Sequence, residues 1–200
     1  MKKLMVIISM VTMIVALAAC ANANNSASSS SGEKESTQGK KVIVVYFSGS
    51  GNTKRVAELA ADELKADTFE IVPAQPYSEA DLNWTNSESR VNKEHNDVSL
   101  QNVLLVSDKV TNWSDYNVVL IGYPIWWRDA AWVINGFVQN NDFSGKQVIP
   151  FCTSTSSELG SSGTNLEKMA GTGEWKEGKR FTENPDESEV RQWARELNPE

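Results

Sequence analysis

The sequence predicts an α/β fold, a three-layer sandwich in which helices cover both faces of a five-stranded parallel sheet. Three observations support this fold class. Two continuous apolar runs, KVIVVYF at 41–47 and NVVLIGYP at 117–124, have the composition of strands buried on both faces. Apolar residues at helical spacing occur between the strand-like segments. Strand and helix alternate five times along the chain, which favours parallel strands joined by crossover helices.

The first half of the domain contributes two strands and one helix. After the strand at 41–47, a helix is expected to share one apolar face among Ala57, Ala60, Ala61 and Leu64. TFEIV at 68–72 alternates in polarity and predicts a second strand nearer an edge of the sheet. Residues 73–100 are polar and rich in Asn and Ser, so we expect a long excursion there with at most short helices.

The second half continues the alternation after the strand at 117–124. The next helical face is formed by Ala130, Val133, Ile134 and Phe137. QVIPFCTS at 147–154 predicts the fourth strand, although Pro150 within it cannot donate to the ladder. A helix near 163–170 and a fifth strand at 178–182 follow. The last helix, which Asn184 is expected to cap, has an apolar stripe of Val190, Trp193, Ala194 and Leu197.

Residues 1–39 are expected to lie outside this domain. Two lysines and an apolar stretch that ends in LAAC have the order of a secretory signal peptide at 1–19. The alternative is an uncleaved anchor, but the apolar stretch is short for a membrane span of ~20 residues. Cys20, placed directly after small residues, resembles the lipobox cysteine of bacterial lipoproteins, which implies a lipid on Cys20. Residues 20–39 hold no large apolar side chain and predict a flexible tether, so the domain occupies 40–200.

Charge and cysteine content narrow the expected partners. Loss of residues 1–19 removes two lysines and no acid, so the net charge would change from −7 to −9. Without a basic cluster, nucleic acid is not an expected partner. If Cys20 carries a lipid, Cys152 cannot form an intramolecular disulfide, and we interpret it as a semi-buried small residue rather than a nucleophile. The single histidine, His95, is interpreted as a solvated surface residue that offers no metal site.

A turn rich in glycine and serine, SGSGNT at 48–53, follows the first strand. Ligands of parallel sheets bind beyond the carboxyl ends of the strands, and a helix N-terminus attracts anions. The turn is uncharged but rich in hydroxyl and amide donors, so it predicts a site for a phosphate group. It lacks the third glycine of a dinucleotide fingerprint, the Gly-Lys-Ser/Thr of a Walker loop and the first glycine of a nucleophile elbow. A simple tight turn is the alternative.

SGSGNT resembles the phosphate loop of flavodoxins, and two later segments extend the resemblance to a flavodoxin-like family over residues 41–198. These segments are GYPIWWRDA at 122–130 and DFSGKQVIPFCTS at 142–154. The resemblance implies a flavodoxin-like sheet of strand order 2-1-3-4-5 and FMN as the cofactor. The FMN phosphate would be held by the loop residues Ser48, Gly49, Ser50, Gly51, Asn52 and Thr53. The isoalloxazine ring would be lined by Pro124, Ile125, Trp126 and Trp127, with Thr153 and Ser154 at its other edge.

The adjacent tryptophans favour a binding site for a flat ligand independently of this resemblance. Neighbouring residues of an extended chain point to opposite sides, so Trp126 and Trp127 cannot share one environment. We expect one of them to form an aromatic platform for a flat ligand and the other to belong to the core. The resembling family often has glycine after this pair and proline a few positions later, where this sequence has Arg128 and Ala131.

The resemblance implies an electron carrier more than an enzyme with its own substrate, and no nucleophile–base pair is visible in the sequence. With Cys20 acylated, the expected protein is exported and lipid-anchored at the outer face of the cytoplasmic membrane, or in the outer membrane or periplasm of a Gram-negative cell. Its partner would be a redox protein or a membrane quinone. Two alternatives stay open, an FMN-dependent NAD(P)H:quinone-type reductase and a non-redox flavodoxin-fold lipoprotein module.

Overall fold

The computed structural model describes residues 40–197, so the signal peptide, Cys20 and the tether predicted at 1–39 lie outside the described residues. The strands are β1 Val42–Tyr46, β2 Asp67–Glu70, β3 Val118–Trp126, β4 Asp129–Ala130, β5 Gln147–Thr153, β6 Glu174–Trp175 and β7 Lys179–Phe181. The α-helices are α1 Asn52–Leu64, α2 Arg90–Asn96, α3 Asn135–Asn140, α4 Ser162–Ala170 and α5 Glu187–Leu197. Short 3₁₀ helices lie at Val98–Gln101, Trp113–Asp115 and Trp132–Ile134.

The sheet has the order β2-β1-β3-β5-β6, with β7 also paired to β5, and all of these pairs are parallel. Because β5 is the predicted fourth strand, the predicted order 2-1-3-4-5 is confirmed. The number of strands was wrong, since the sheet contains seven rather than five. One extra strand is β4, which forms an antiparallel hairpin with the end of β3. The other arises because the predicted fifth strand is divided into β6 and β7.

Pro150 explains that division. β6 pairs with Gln147 and Val148, whereas β7 pairs with Phe151–Thr153, on either side of the proline. The Val148 carbonyl accepts a hydrogen bond from the Lys176 N–H at 2.8 Å, so the backbone of Val148 faces the edge of the sheet. Pro150, two residues later, faces the same edge but has no N–H to donate. At Gly178 a Cβ would lie 2.6 Å from the Pro150 carbonyl oxygen, so the backbone can pass there only as glycine.

The core consists of two layers separated by the sheet. Even-numbered residues of β1 pack with α1 and α5, and odd-numbered residues pack with α3, α4 and the excursion. The expected apolar faces of the first and last helices are confirmed, with Ala57, Ala60, Val190 and Ala194 fully buried. At Gly122 in β3, a Cβ would lie 2.1 Å from the Phe151 ring, so the ring occupies the space that a side chain would need.

Two local expectations differ from the structure. α5 begins at Glu187, and the carboxylate of Asp186 rather than Asn184 accepts the Ser188 N–H, at 2.7 Å. The Asn184 side chain instead accepts from Arg55 of α1. The apolar face expected from Ala130 to Phe137 is buried, but it is divided among β4, a 3₁₀ turn and α3 because the hairpin intervenes. Within residues 40–197, no helix is long and apolar enough to cross a membrane.

Candidate functional site

The predicted site residues come together at one edge of the sheet. β1, β3 and β5 are parallel neighbours, so their carboxyl ends place the loops after residues 46, 126 and 153 side by side. The hydroxyl oxygens of Thr53 and Thr153 lie 2.8 Å apart, which joins the first loop directly to the third. This hydrogen bond uses one of the two hydroxyl hydrogens, so the other remains to be donated elsewhere.

The loop of residues 48–53 ends in a helix N-terminus without a side-chain cap. Gly51 precedes α1 with φ of 93°, a left-handed conformation that favours glycine. The first helical bond runs from the Arg55 N–H to the Gly51 carbonyl, and the Gly51 N–H donates to Ser48 Oγ at 3.1 Å. Within residues 40–197, the N–H groups of residues 52–54 have no acceptor. These donors and the positive end of the helix dipole can bind an anion.

The cations nearest this loop are already paired with carboxylates. Lys54 Nζ donates to Glu70 at 2.9 Å, and this hydrogen bond raises the pKa of the lysine. The Arg55 guanidinium lies 3.4 Å from Glu187. The attraction for an anion at this turn therefore comes mainly from backbone N–H groups and neutral hydroxyls.

The loop after β3 is a tight hairpin made without glycine. Ile125 pairs with Ala130 and Trp126 with Asp129, which leaves Trp127 and Arg128 as the two central residues. Both have positive φ, 44° and 67°, as in type I′ turns, whose central positions favour Asn and Gly. A left-handed conformation costs a residue with a side chain roughly 1–2 kcal/mol. The arginine that replaces the family's frequent glycine therefore occupies a strained position, held by the contacts around it.

The two tryptophans have different surroundings, as expected for neighbours. Trp126 packs edge-on against Phe47, Tyr77 and Trp132, at centroid distances of 5.6, 5.5 and 4.8 Å. Trp127 is 39% exposed and stacks on His95 at 4.2 Å with an interplanar angle of 11°. The interpretation of His95 as a solvated surface residue was incomplete, because one face of its ring is covered.

An apolar cavity of about 350 Å³ lies beside the tryptophan pair. Its walls are Leu82, Trp84, Val91, Ile125, Trp126 and Trp127. Leu82 also borders the phosphate loop, because a Cβ on Gly49 would lie 3.3 Å from it and 3.8 Å from Trp126. The cavity therefore adjoins the loop, and its volume lies within the usual range for ligand sites. Sequence reasoning missed Leu82 and Trp84, which belong to the excursion between β2 and β3.

The loop after β5 is fixed by hydrogen bonds within the protein. The Ser154 hydroxyl donates to the Ser157 carbonyl and accepts from Arg180 Nε, which lies 2.9 Å away. Arg180 also donates to the Ser154 carbonyl oxygen at 3.1 Å. Thr153 and Ser154 are at the predicted edge of the sheet, and their contact with a ring stays a prediction. Burial raises the pKa of the Cys152 thiol to about 12, so this residue is a protonated, fully buried small side chain.

Comparisons with known proteins agree with this arrangement. The model of a family described as flavodoxin matches residues 41–197. A crystal structure of a protein described as a flavoprotein from Bacteroides eggerthii is 41% identical, with a TM-score of 0.70, covering 79% of this chain and 98% of that one. A second, from Bacteroides uniformis, is 36% identical with a TM-score of 0.70, covering 79% and 99%.

A more distant structure adds support for the fold. It is a flavoprotein from Lactobacillus acidophilus in complex with FMN, 24% identical with a TM-score of 0.56, and it covers 78% of this chain and 99% of that one. No curated protein matches the sequence.

Proposed function

Because the chain belongs to the flavodoxin family, we propose that it binds FMN and transfers electrons while anchored to a membrane by a lipid on Cys20. The observation that carries the proposal is the uncharged 48–53 loop, which leads into the uncapped N-terminus of α1. When bound, FMN would supply the redox chemistry, and the protein would supply orientation and electrostatics.

The loop suits the single terminal phosphate of FMN. The N–H groups of residues 52–54 have no acceptor within residues 40–197, and Ser50 and Thr53 add two hydroxyl groups at the same turn. The space beside Gly51 is open, because a Cβ at this position would meet no atom within 4 Å. Its left-handed backbone conformation disfavours residues that have a side chain. The Lactobacillus flavoprotein that carries FMN has the same fold, which supports this choice of ligand.

The neighbouring cavity suits the isoalloxazine ring. A flat, largely apolar ring system can pack between the excursion side chains Leu82 and Trp84 and the hairpin tryptophans. Leu82 borders both the cavity and the phosphate loop, so one ligand can span the two. This arrangement supports the predicted roles of Ile125, Trp126 and Trp127 as ring-lining residues.

Electron transfer is proposed from membership of the flavodoxin family, and two buried titratable groups, in β3 and β5, do not suggest another reaction. Burial raises the pKa values of the Tyr123 hydroxyl and the Cys152 thiol, so both stay protonated at neutral pH. Neither is prepared to act as a nucleophile or a base. A redox protein or a membrane quinone is the proposed partner.

The candidate site and the start of the described chain lie at opposite edges of the sheet. The chain enters β1 from Lys41, at the amino edge of the sheet, whereas the candidate site lies at the carboxyl edge. β1 alone separates these edges by roughly 17 Å at 3.3 Å per residue. If residues 20–39 form the predicted tether, its r.m.s. reach would be ~25 Å.

Substitution of the tryptophans tests the ring end of the site. Stacking on an aromatic side chain contributes about 0.5–1.5 kcal/mol, so Trp126→Leu or Trp127→Leu should weaken flavin binding roughly two- to tenfold. FMN and riboflavin should be affected alike, because they share the ring. Titration of both ligands measures this effect.

Trp175→Phe is the matched control for the tryptophan variants, because Trp175 lies in β6, where it donates to the Thr172 carbonyl. It should bind both flavins like the wild type. Unchanged affinity in both hairpin variants would show that the ring binds elsewhere.

A further inference from the structure

Glu94 of α2 is a buried carboxylate with an unusually complete set of hydrogen-bond donors. It is 5% exposed. Its Oε2 accepts from the Tyr77 hydroxyl at 2.6 Å and from the Trp132 indole N–H at 2.8 Å, and its Oε1 accepts from Arg90 Nε at 2.6 Å. The donors come from the excursion, from the 3₁₀ turn after β4 and from the preceding turn of α2. One side chain therefore joins three separate segments.

Two of these donors are the rings that enclose Trp126. Tyr77 and Trp132 contact it edge-on, at interplanar angles of 67° and 65°. Arg90 covers Tyr77 at 3.8 Å from the ring centroid, which restricts that ring further. Tyr77 and Trp132 therefore restrict the position of Trp126, and both donate a hydrogen bond to the Glu94 carboxylate.

The residue that follows Glu94 in α2 contacts the tryptophan that follows Trp126 in the hairpin. His95 stacks on Trp127, the residue with φ of 44°. Strained backbone persists where surrounding contacts over-determine it. His95 contacts Trp127 directly, whereas Glu94 acts on Trp126 indirectly, through Tyr77 and Trp132. The excursion thus supports the hairpin in a conformation that the hairpin sequence alone does not favour.

We propose that Glu94 is a positioning residue that holds Trp126 in the orientation needed to pack against the flavin ring, an inference that rests on the proposed function. A buried charge is a poor means of gaining stability, because desolvation offsets much of the attraction between partners. Three directional hydrogen bonds, in contrast, fix the orientation of the groups that donate them. Burial, and then the hydrogen bond to Glu94, raises the pKa of Tyr77, so its hydroxyl stays protonated as a donor.

Three variants of the full chain test the proposal. Tyr77→Phe deletes one hydroxyl, and Glu94→Gln replaces an acceptor-only carboxylate by an amide that cannot satisfy all three donors. Tyr116→Phe is the matched control, because its hydroxyl also donates to a carboxylate, Asp67, at 2.7 Å, but at the amino end of β2. Tyr77→Phe keeps the proposal testable should Glu94→Gln not fold.

Two readouts are needed. In flavin-free protein labelled with 5-fluorotryptophan, the ¹⁹F resonance of Trp126, assigned with Trp126→Phe, should shift or broaden in both site variants and stay unchanged in Tyr116→Phe. FMN and riboflavin affinities should fall together, by no more than the roughly two- to tenfold expected for loss of the Trp126 ring, because only molecules with Trp126 correctly oriented bind with full affinity. A Trp126 resonance and flavin affinities identical to wild type in both site variants would overturn the positioning role. A wild-type chain that binds no flavin would instead overturn the proposed function.

Discussion

Thr53→Ala is expected to weaken FMN binding about ten- to a hundredfold, because a hydrogen bond to a charged group contributes about 1.5–3 kcal/mol. Thr53 is the second residue of α1, and its hydroxyl lies 2.8 Å from that of Thr153. One of the two hydroxyl hydrogens of Thr53 and Thr153 is used in the hydrogen bond between them. We propose that the other is donated to the FMN phosphate. Riboflavin, which lacks the phosphate, should bind with nearly wild-type affinity.

Two further variants separate phosphate recognition from damage to the fold. Thr53→Ser keeps the hydroxyl and should retain most of the FMN affinity. Ser50→Ala removes an exposed hydroxyl from the same loop and should weaken FMN binding over the same range as Thr53→Ala. Equal losses of FMN and riboflavin affinity in Thr53→Ala would show that the substitution disturbs the fold rather than a phosphate contact.

Cys20→Ser is expected to move the protein from the membrane fraction to the soluble exported fraction, without changing FMN binding. The reason is that several acyl chains give stable anchoring, whereas the serine variant has no thiol to acylate. The predicted signal peptide has Lys2 and Lys3 but no twin arginine, so we expect the chain to cross the membrane unfolded and to bind FMN afterwards. Fractionation followed by immunoblotting measures the change.

Cys152→Ala is the matched control for the lipid anchor, since it removes the other cysteine, which is buried in β5. It should leave the protein in the membrane fraction. Recovery of wild-type chain that still carries residues 1–19 from the soluble cytoplasmic fraction would contradict the anchor and favour the NAD(P)H reductase.

The central strands and the turn at 48–53 were predictable because local sequence determines them. Continuous apolar runs such as 42–46 and 118–121 are typical of strands covered on both sides, and the residues of both runs are buried. The small residues of 48–53 are typical of a turn that leaves backbone N–H groups accessible. The same reasoning placed the apolar faces of α1 and α5 correctly.

The edge of the sheet and the ring end of the site were not predictable in this way. The division into β6 and β7 depends on the side of β5 that Pro150 faces, which follows from register rather than composition. The hairpin at 125–130 has no glycine to indicate a type I′ turn, and the residue of α2 that stacks on it, His95, is distant in sequence. Leu82 and Glu94 come from a polar excursion whose side chains reach the site only through the tertiary fold.

Isothermal titration of the purified wild-type protein with FMN, riboflavin and FAD tests the central claim most directly. With several hydrogen bonds to one terminal phosphate, FMN should bind at least about a hundredfold more tightly than riboflavin. FAD should bind more weakly than FMN, because the loop lacks the dinucleotide pattern. Equal affinity for FMN and riboflavin would contradict the assignment of residues 48–53 as a phosphate site.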